Sequence, residues 1–166
     1  NNLKGEIDVG ALPTDIRQCD LSYNSFTSQI HLDKLPTQIE EFSISSNTLS
    51  GKLDLTSLPE SLRKLNLSHN SFCGSVDLTS LPRTMLILSL HGNQLSGSLD
   101  LTRLPDCMKE MYLDNNEFFG ETDFRWLPKS LFLFDISKTR LTGEIIEEKG
   151  SAKMFTLNDS VHRRSD

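Results

Sequence analysis

Apolar and polar residues alternate over two or three positions, give way to a bend, and the same short motif then returns at a constant interval along the chain. In residues 58–80 the spacing is Leu62-x-x-Leu65-x-Leu67-x-x-Asn70-x-Phe72. The period-two stretch Leu65-Asn66-Leu67 predicts one short strand followed by a sharp turn. Aligned copies place Ile16, Cys19, Leu21, Asn24 and Phe26 at these positions, then Ile39, Phe42, Ile44, Asn47 and Leu49. The series continues with Met85, Leu88, Leu90, Asn93 and Leu95, with Met108, Met111, Leu113, Asn116 and Phe118, and with Leu131, Phe134, Ile136, Thr139 and Leu141. Leu-Pro pairs begin at Leu12, Leu35, Leu58, Leu81, Leu104 and Leu127, a step of 23 each time, and they contain all six prolines. Such a period predicts a solenoid with one inner strand per turn.

The LxxLxLxxNxL motif, in six in-register copies over residues 1 to 148, resembles the leucine-rich repeat. The resemblance implies an α/β-type repeat solenoid, a right-handed coil with one parallel β-sheet on the concave face and turns or short 3-10 pieces on the convex face. Residues 1–11 read as a partial leading repeat, 12–143 as six 23-residue repeats, 144–160 as a degenerate C-terminal cap and 161–166 as a disordered tail. Asn1, Leu3 and Gly5 fit the second half of a repeat, so the array is expected to begin before Asn1. Glycines at Gly51, Gly74, Gly97, Gly120 and Gly143 follow the plant-type repeat. The segments after them, such as Leu53-Asp54-Leu55-Thr56, depart from it, and the DLTxLPxxL connection is closer to repeats of kinetoplastid protozoa.

Two columns should hold the scaffold. The asparagines Asn24, Asn47, Asn70, Asn93 and Asn116 carry both donors and acceptors into a tight turn whose backbone groups would otherwise be unpaired. Phe26, Leu49, Phe72, Leu95, Phe118 and Leu141 form an apolar column behind them. From Asp54 to Leu62, the aspartate, Thr/Ser and a proline that fixes φ predict a turn or short 3-10 piece rather than a long helix. In the last copy Thr139 replaces the asparagine. One period after Leu131 the chain offers Met154 and Leu157, with Asp159 at the next core position.

At 166 residues with net charge -6 and pI near 5.2, the chain reads as one acidic domain, which argues against a nucleic-acid or anionic-membrane surface. No membrane insertion is expected. Cys19, Cys73 and Cys107 have no recognisable spacing and align with small or core residues. Without a flanking cysteine cluster, a cytoplasmic location is favoured over a secreted or cell-surface one. Asn66-Leu67-Ser68 and Asn158-Asp159-Ser160 are sequons for a secretory setting.

Candidate chemistry lies at the positions that alternate with the core. Outward residues are small and polar in the first copies, whereas Ile87, Tyr112 and Leu133 appear from the fourth copy onward, with Leu86 and Phe132 at the strand edge. Together with His91, Glu110, Asp114 and Asp135 they suggest an interface with an apolar centre and a polar rim, unless the terminal cap covers them. We therefore expect a non-enzymatic, monomeric module that binds a protein partner through Ile87, Tyr112, Leu133, His91, Asp114, Glu110 and Phe132. The resemblance also admits a substrate-recognition arm of a larger enzyme such as a ubiquitin ligase, or a surface-exposed parasite protein binding a host ligand. The rival chemistry is a His69, His91 and Asp114 cluster serving zinc or acid–base catalysis, on a face without a cleft to shield it. Asp8, Asp54, Asp77, Asp100 and Asp123 form a column that invites calcium, interrupted by His31, with turn acceptance as the plainer role. No cofactor, metal or catalytic residue is expected.

Overall fold

The computed structural model describes residues 2–147 and 153–165. In each repeat the strand is three residues long because only its middle side chain turns inward before the asparagine turn begins. Gln18–Asp20, Glu41–Ser43, Lys64–Asn66, Ile87–Ser89, Glu110–Tyr112, Leu133–Asp135 and Met154–Thr156 lie side by side in this order as a seven-stranded parallel sheet, the inner sheet of coils one to seven. Pairing joins equivalent positions, as in Leu65 with Leu88 and Met111 with Phe134.

A second parallel sheet of six strands, Ser50–Gly51, Ser71–Gly74, Gln94–Gly97, Glu117–Glu121, Arg140–Glu147 and Val161–Ser165, runs along the far side of the turns. The concave sheet expected from sequence is therefore accompanied by a second long one. In this sheet Gly51 faces Phe72, Gly74 faces Leu95 and Gly97 faces Phe118, each glycine being opposite the apolar residue of the next coil. These glycines have φ between 81° and 92°, a region open to glycine at no steric cost. The recurring glycine was thus the sign of a second strand.

The α/β-type class is corrected too, since the described residues contain no α-helix. The convex side holds only turns and the 3-10 pieces Val9–Ala11, Leu32–Lys34 and Phe124–Trp126. Between the inward-pointing Leu55 and Pro59 there are too few residues for a hydrogen-bonded α-turn to propagate, and proline supplies no amide. The leucines of the DLTxLP connection are core, with Leu53, Leu55 and Leu58 all below 9% exposure, while the intervening Asp54 turns out and accepts from the Thr56 amide and hydroxyl at 2.9 and 2.6 Å.

Two ladders stitch coil to coil. Asn70 Nδ2 donates to the carbonyls of Leu67 and Ser68 in its own coil and of Ile44 in the preceding one, and its Oδ1 accepts from the Leu49 amide, all at 3.1–3.2 Å. Asn47, Asn93 and Asn116 repeat the arrangement. On the convex side the Ser61 hydroxyl donates to Thr37 and Ile39 carbonyls, and Thr84 and Ser130 do the same one and three coils later. The Cys107 thiol fills the intervening place, 3.0 and 3.3 Å from the Arg83 and Met85 carbonyls.

The carboxy-terminal end departs from the 23-residue frame. Leu133 pairs with Met154 and Phe134 with Phe155, so the seventh coil is two residues short. Phe155, not Met154, takes the core position: it is 7% exposed against 66% for Met154. Its ring packs edge-on against Phe134 at 5.6 Å. Burial of the larger aromatic outweighs the spacing. Asp159 consequently avoids the core and lies exposed in the turn before Val161. The segment expected to be a disordered tail forms Val161–Ser165, which pairs with residues 143–147. At the other end Lys4–Gly5 pairs with Ser25–Phe26. Asn1, residues 148–152 of the expected cap and Asp166 lie outside the described residues.

One apolar column contains a polar residue. Thr122 occupies the column of Ile7, Ile30, Leu53, Val76, Leu99 and Ile145, and its buried hydroxyl has no hydrogen-bond partner among the described residues. Thr122→Val should raise unfolding stability by about 1 kcal/mol, because an isosteric methyl ends the unpaired burial. Asn93→Ala should lower it by about 3 kcal/mol, because a buried amide and carbonyls of two coils lose their partner. Urea denaturation measures both, and unchanged stability in Asn93→Ala would contradict the assignment of the ladder.

Candidate partner-binding face

The strand register decides which outward side chains meet. Ile87, Glu110 and Leu133 form one in-register row across coils four to six, and Ser89, Tyr112 and Asp135 form the next. Ile87 and Leu133 thus flank Glu110, and Tyr112 stands one row further along. The centre of the group is therefore the charged Glu110 rather than an apolar residue. Tyr112 nevertheless joins it, its Oη donating to Glu110 Oε2 at 2.8 Å. Ile87, Tyr112 and Leu133 are half-buried, and Phe132 at the strand edge is 41% exposed.

Beyond this row the histidines converge. His69 and His91 meet edge to face with ring centroids 4.4 Å apart, and His91 lies 6.4 Å from the Tyr112 ring. His91 Nδ1 is 3.8 Å from Asp114 Oδ2. Burial raises the Asp114 carboxyl above the usual range and the Asp135 charge adds to it, while His91 opposes the shift. Tyr112 is pushed up to about 12, first by burial and then by its bond to Glu110. His69, His91 and Asp114 are therefore neighbours, yet no group of three His, Cys, Asp or Glu among the described residues is arranged to hold a metal, and the face is open on one side.

The aspartate column is committed to turns. Asp8 accepts from the Gly10 amide, and Asp54, Asp77 and Asp100 from the amides and hydroxyls of Thr56, Thr79 and Thr102. Those threonine bonds lower the last three carboxyls. Asp123 is lowered to about 2 by Arg125, which donates to both its oxygens.

The first coils present a different surface, in which polar groups satisfy one another. Ser22 joins Ser43 and Ser45 through hydroxyl contacts of 2.7 and 3.0 Å. Lys64 meets Glu41 at 2.7 Å, and Arg17 pairs with Glu40. A depression of ≈ 520 Å³ runs over Gln18, Asp20, Glu41, Lys64, Asn66 and Ile87. Sequence reasoning passed over it, although the opposite charges of Glu41 and Lys64 one period apart mark it. The sequons also differ in their surroundings. Asn66 accepts the Ser68 amide and hydroxyl, whereas Asn158 spends its amide on the Leu141 carbonyl and Thr139 hydroxyl.

A carboxyl raised in the folded state binds its proton more tightly there than in the unfolded chain, so its ionisation works against folding above that window. Asp114→Asn should therefore raise the melting temperature at neutral pH. The gain should vanish as pH falls below the ordinary aspartate value, where both states are protonated. A thermal-denaturation series against pH checks this, and a loss of stability at neutral pH would contradict it.

Residues 61–83 match the family model described as Leucine Rich Repeat. No curated protein sequence matches the chain. Among solved structures, the plant peptide hormone receptor RGFR1 in complex with RGF2 is similar at a TM-score of 0.76 and 24% identity, over 99% of this chain and 31% of that one. PEPR1-AtPEP1 is similar at 0.78 and 25%, over 98% and 24%, and YopM from Yersinia enterocolitica WA-314 at 0.54 and 24%, over 97% and 39%. The chain spans less than a third of the first two chains it resembles. No helix among the described residues is long and apolar enough to cross a membrane. Residues 61–83 carry a leucine-rich repeat, and along its whole length the chain is similar in fold to leucine-rich repeat proteins.

Proposed function

We propose that this chain is a non-enzymatic, monomeric interaction module whose inner sheet binds a protein or peptide partner, with the weight of the contact on coils four to six. The observation that carries this reading is the change in outward strand residues along the sheet. Coils one to three present Gln18, Asp20, Glu41, Ser43, Lys64 and Asn66, whereas coils four to six add Ile87, Tyr112 and Leu133. Half-buried apolar groups with charges beside them are what an interface centre requires. The similar structure of RGFR1 contains a peptide hormone receptor with RGF2 bound, which supports a peptide or protein as the class of ligand. A kinetoplastid origin rests on the DLTxLPxxL connection alone. A role as the substrate arm of a ligase or as a parasite surface protein would use the same face.

Selection from a displayed random-peptide library tests the reading. The Ile87→Ala/Tyr112→Ala double variant should weaken the selected peptides by about tenfold or more, with an unchanged melting temperature. Trp126→Ala on the convex side, where the indole is 62% exposed, should leave them bound. Equal affinity for the double variant and the wild type would overturn the concave-face assignment.

A further inference from the structure

Three acidic residues neighbour one tyrosine in coils five and six. Glu110 and Tyr112 lie on the same side of one strand and share a hydrogen bond. Asp135 is the in-register neighbour of Tyr112 on the next strand, about 4.8 Å across the sheet, and Asp114 follows Tyr112 where the turn begins. Among the described residues no lysine or arginine nitrogen lies within 4.0 Å of any of these three acids, and the one basic side chain that close is His91, 3.8 Å from Asp114. Lys138 acts on Asp114 from further away. In the first coils Glu40 and Glu41 each have a basic partner, while among the described residues Asp20 accepts only from Ser22.

The fold gains nothing from leaving these charges unmatched. Burial and Asp135 raise the Asp114 carboxyl, and burial and Glu110 raise Tyr112. Burial is the larger cause in both, and the neighbouring negative charges add to it. Beside these acids stands the half-buried Tyr112 ring, and an aromatic ring attracts a cation through its quadrupole. On either side of Glu110 stand Ile87 and Leu133, aliphatic surfaces suited to the stem and neighbours of a long basic side chain. A net charge of -6 draws a cationic segment toward the chain from a distance.

Resting on the concave-face reading above, we propose that coils four to six receive an arginine from an extended segment of the partner. Its guanidinium lies against the Tyr112 ring and donates to Glu110, Asp114 and Asp135. The residues flanking that arginine rest on Ile87 and Leu133. Arginine suits the site better than lysine because its planar fork offers several donors at once and stacks on an aromatic ring.

The probe is a set of peptide pools of about nine residues, a length that crosses the inner sheet at about 3.4 Å per residue. The central position is arginine, citrulline or glutamate, and the others are randomised among leucine, serine, threonine and tyrosine. Fluorescence anisotropy should show the arginine pool binding about tenfold more tightly than the citrulline pool, which has nearly the same shape without the charge. Asp114→Asn/Asp135→Asn should remove that advantage with the fold intact by thermal melting, as should high salt, while Asp100→Asn on the convex side should preserve it. Equal binding of the arginine and citrulline pools, or binding of neither, overturns the proposal. If citrulline or glutamate pools bind equally well and are lost in Ile87→Ala/Tyr112→Ala, the concave-face reading stands and the arginine falls. If bound pools ignore that double variant, both fall.

Discussion

The asparagine carboxamide is the constraint on which this structure depends. Each tight turn from inner strand to second sheet points backbone carbonyls into the solenoid, where water does not reach them. One side chain, with its amide donating and its oxygen accepting, satisfies groups in two successive coils at once, as Asn70 does for Ser68, Ile44 and Leu49. An aspartate has no proton to give those carbonyls, and a leucine has neither donor nor acceptor. Because the bonds are made to the neighbouring coil, they fix its register as well as its turn, and a slip by one residue would reverse every side chain on the inner sheet.

From that register the rest follows. Leucines and phenylalanines of equal rank stack at 0–8% exposure through the interior, so each coil completes the burial of the one before it. The glycine after each turn lets the chain pass into the second sheet beside the apolar residue of the next coil. With both sheets pinned, the outward residues of the inner sheet are held in rows and are released from any duty to the core. Coils one to three use that freedom to pair Glu41 with Lys64 and serine with serine, whereas in coils four to six Glu110, Asp114 and Asp135 have no close lysine or arginine among the described residues. An unmatched field on a rigid surface costs stability, and such a cost is a mark of a surface arranged for something other than folding.

Most of this was legible because repetition turns a one-dimensional period into a three-dimensional neighbourhood. The core columns, the asparagines and the rows containing Ile87, Tyr112 and Leu133 could all be read from a step of 23. The second sheet could not be read from leucines, since its strands are two to eight residues long and carry their signal in a glycine with positive φ. The last coil was misread because the frame was carried past Leu131, although the chain there lacks a Leu-Pro pair and the asparagine. Where those constraints lapse, the coil shortens until Phe155 is buried. The contact between Tyr112 and Glu110 was hidden for another reason: columns give the positions of side chains, but not which way a tyrosine leans. The charge balance of the candidate site depends on such leanings, so only its residue types were visible in advance.

Hydrogen exchange by NMR bears most directly on the asparagine account. The amides of Leu49, Phe72 and Leu95 point at the side-chain oxygens of Asn70, Asn93 and Asn116 in the following coil, and they should exchange as slowly as the inner-strand amides of Leu65 and Leu88. Exchange at the rate of open, solvated amides at those three positions, beside protected strand amides, would show that the coils are held in register by something else.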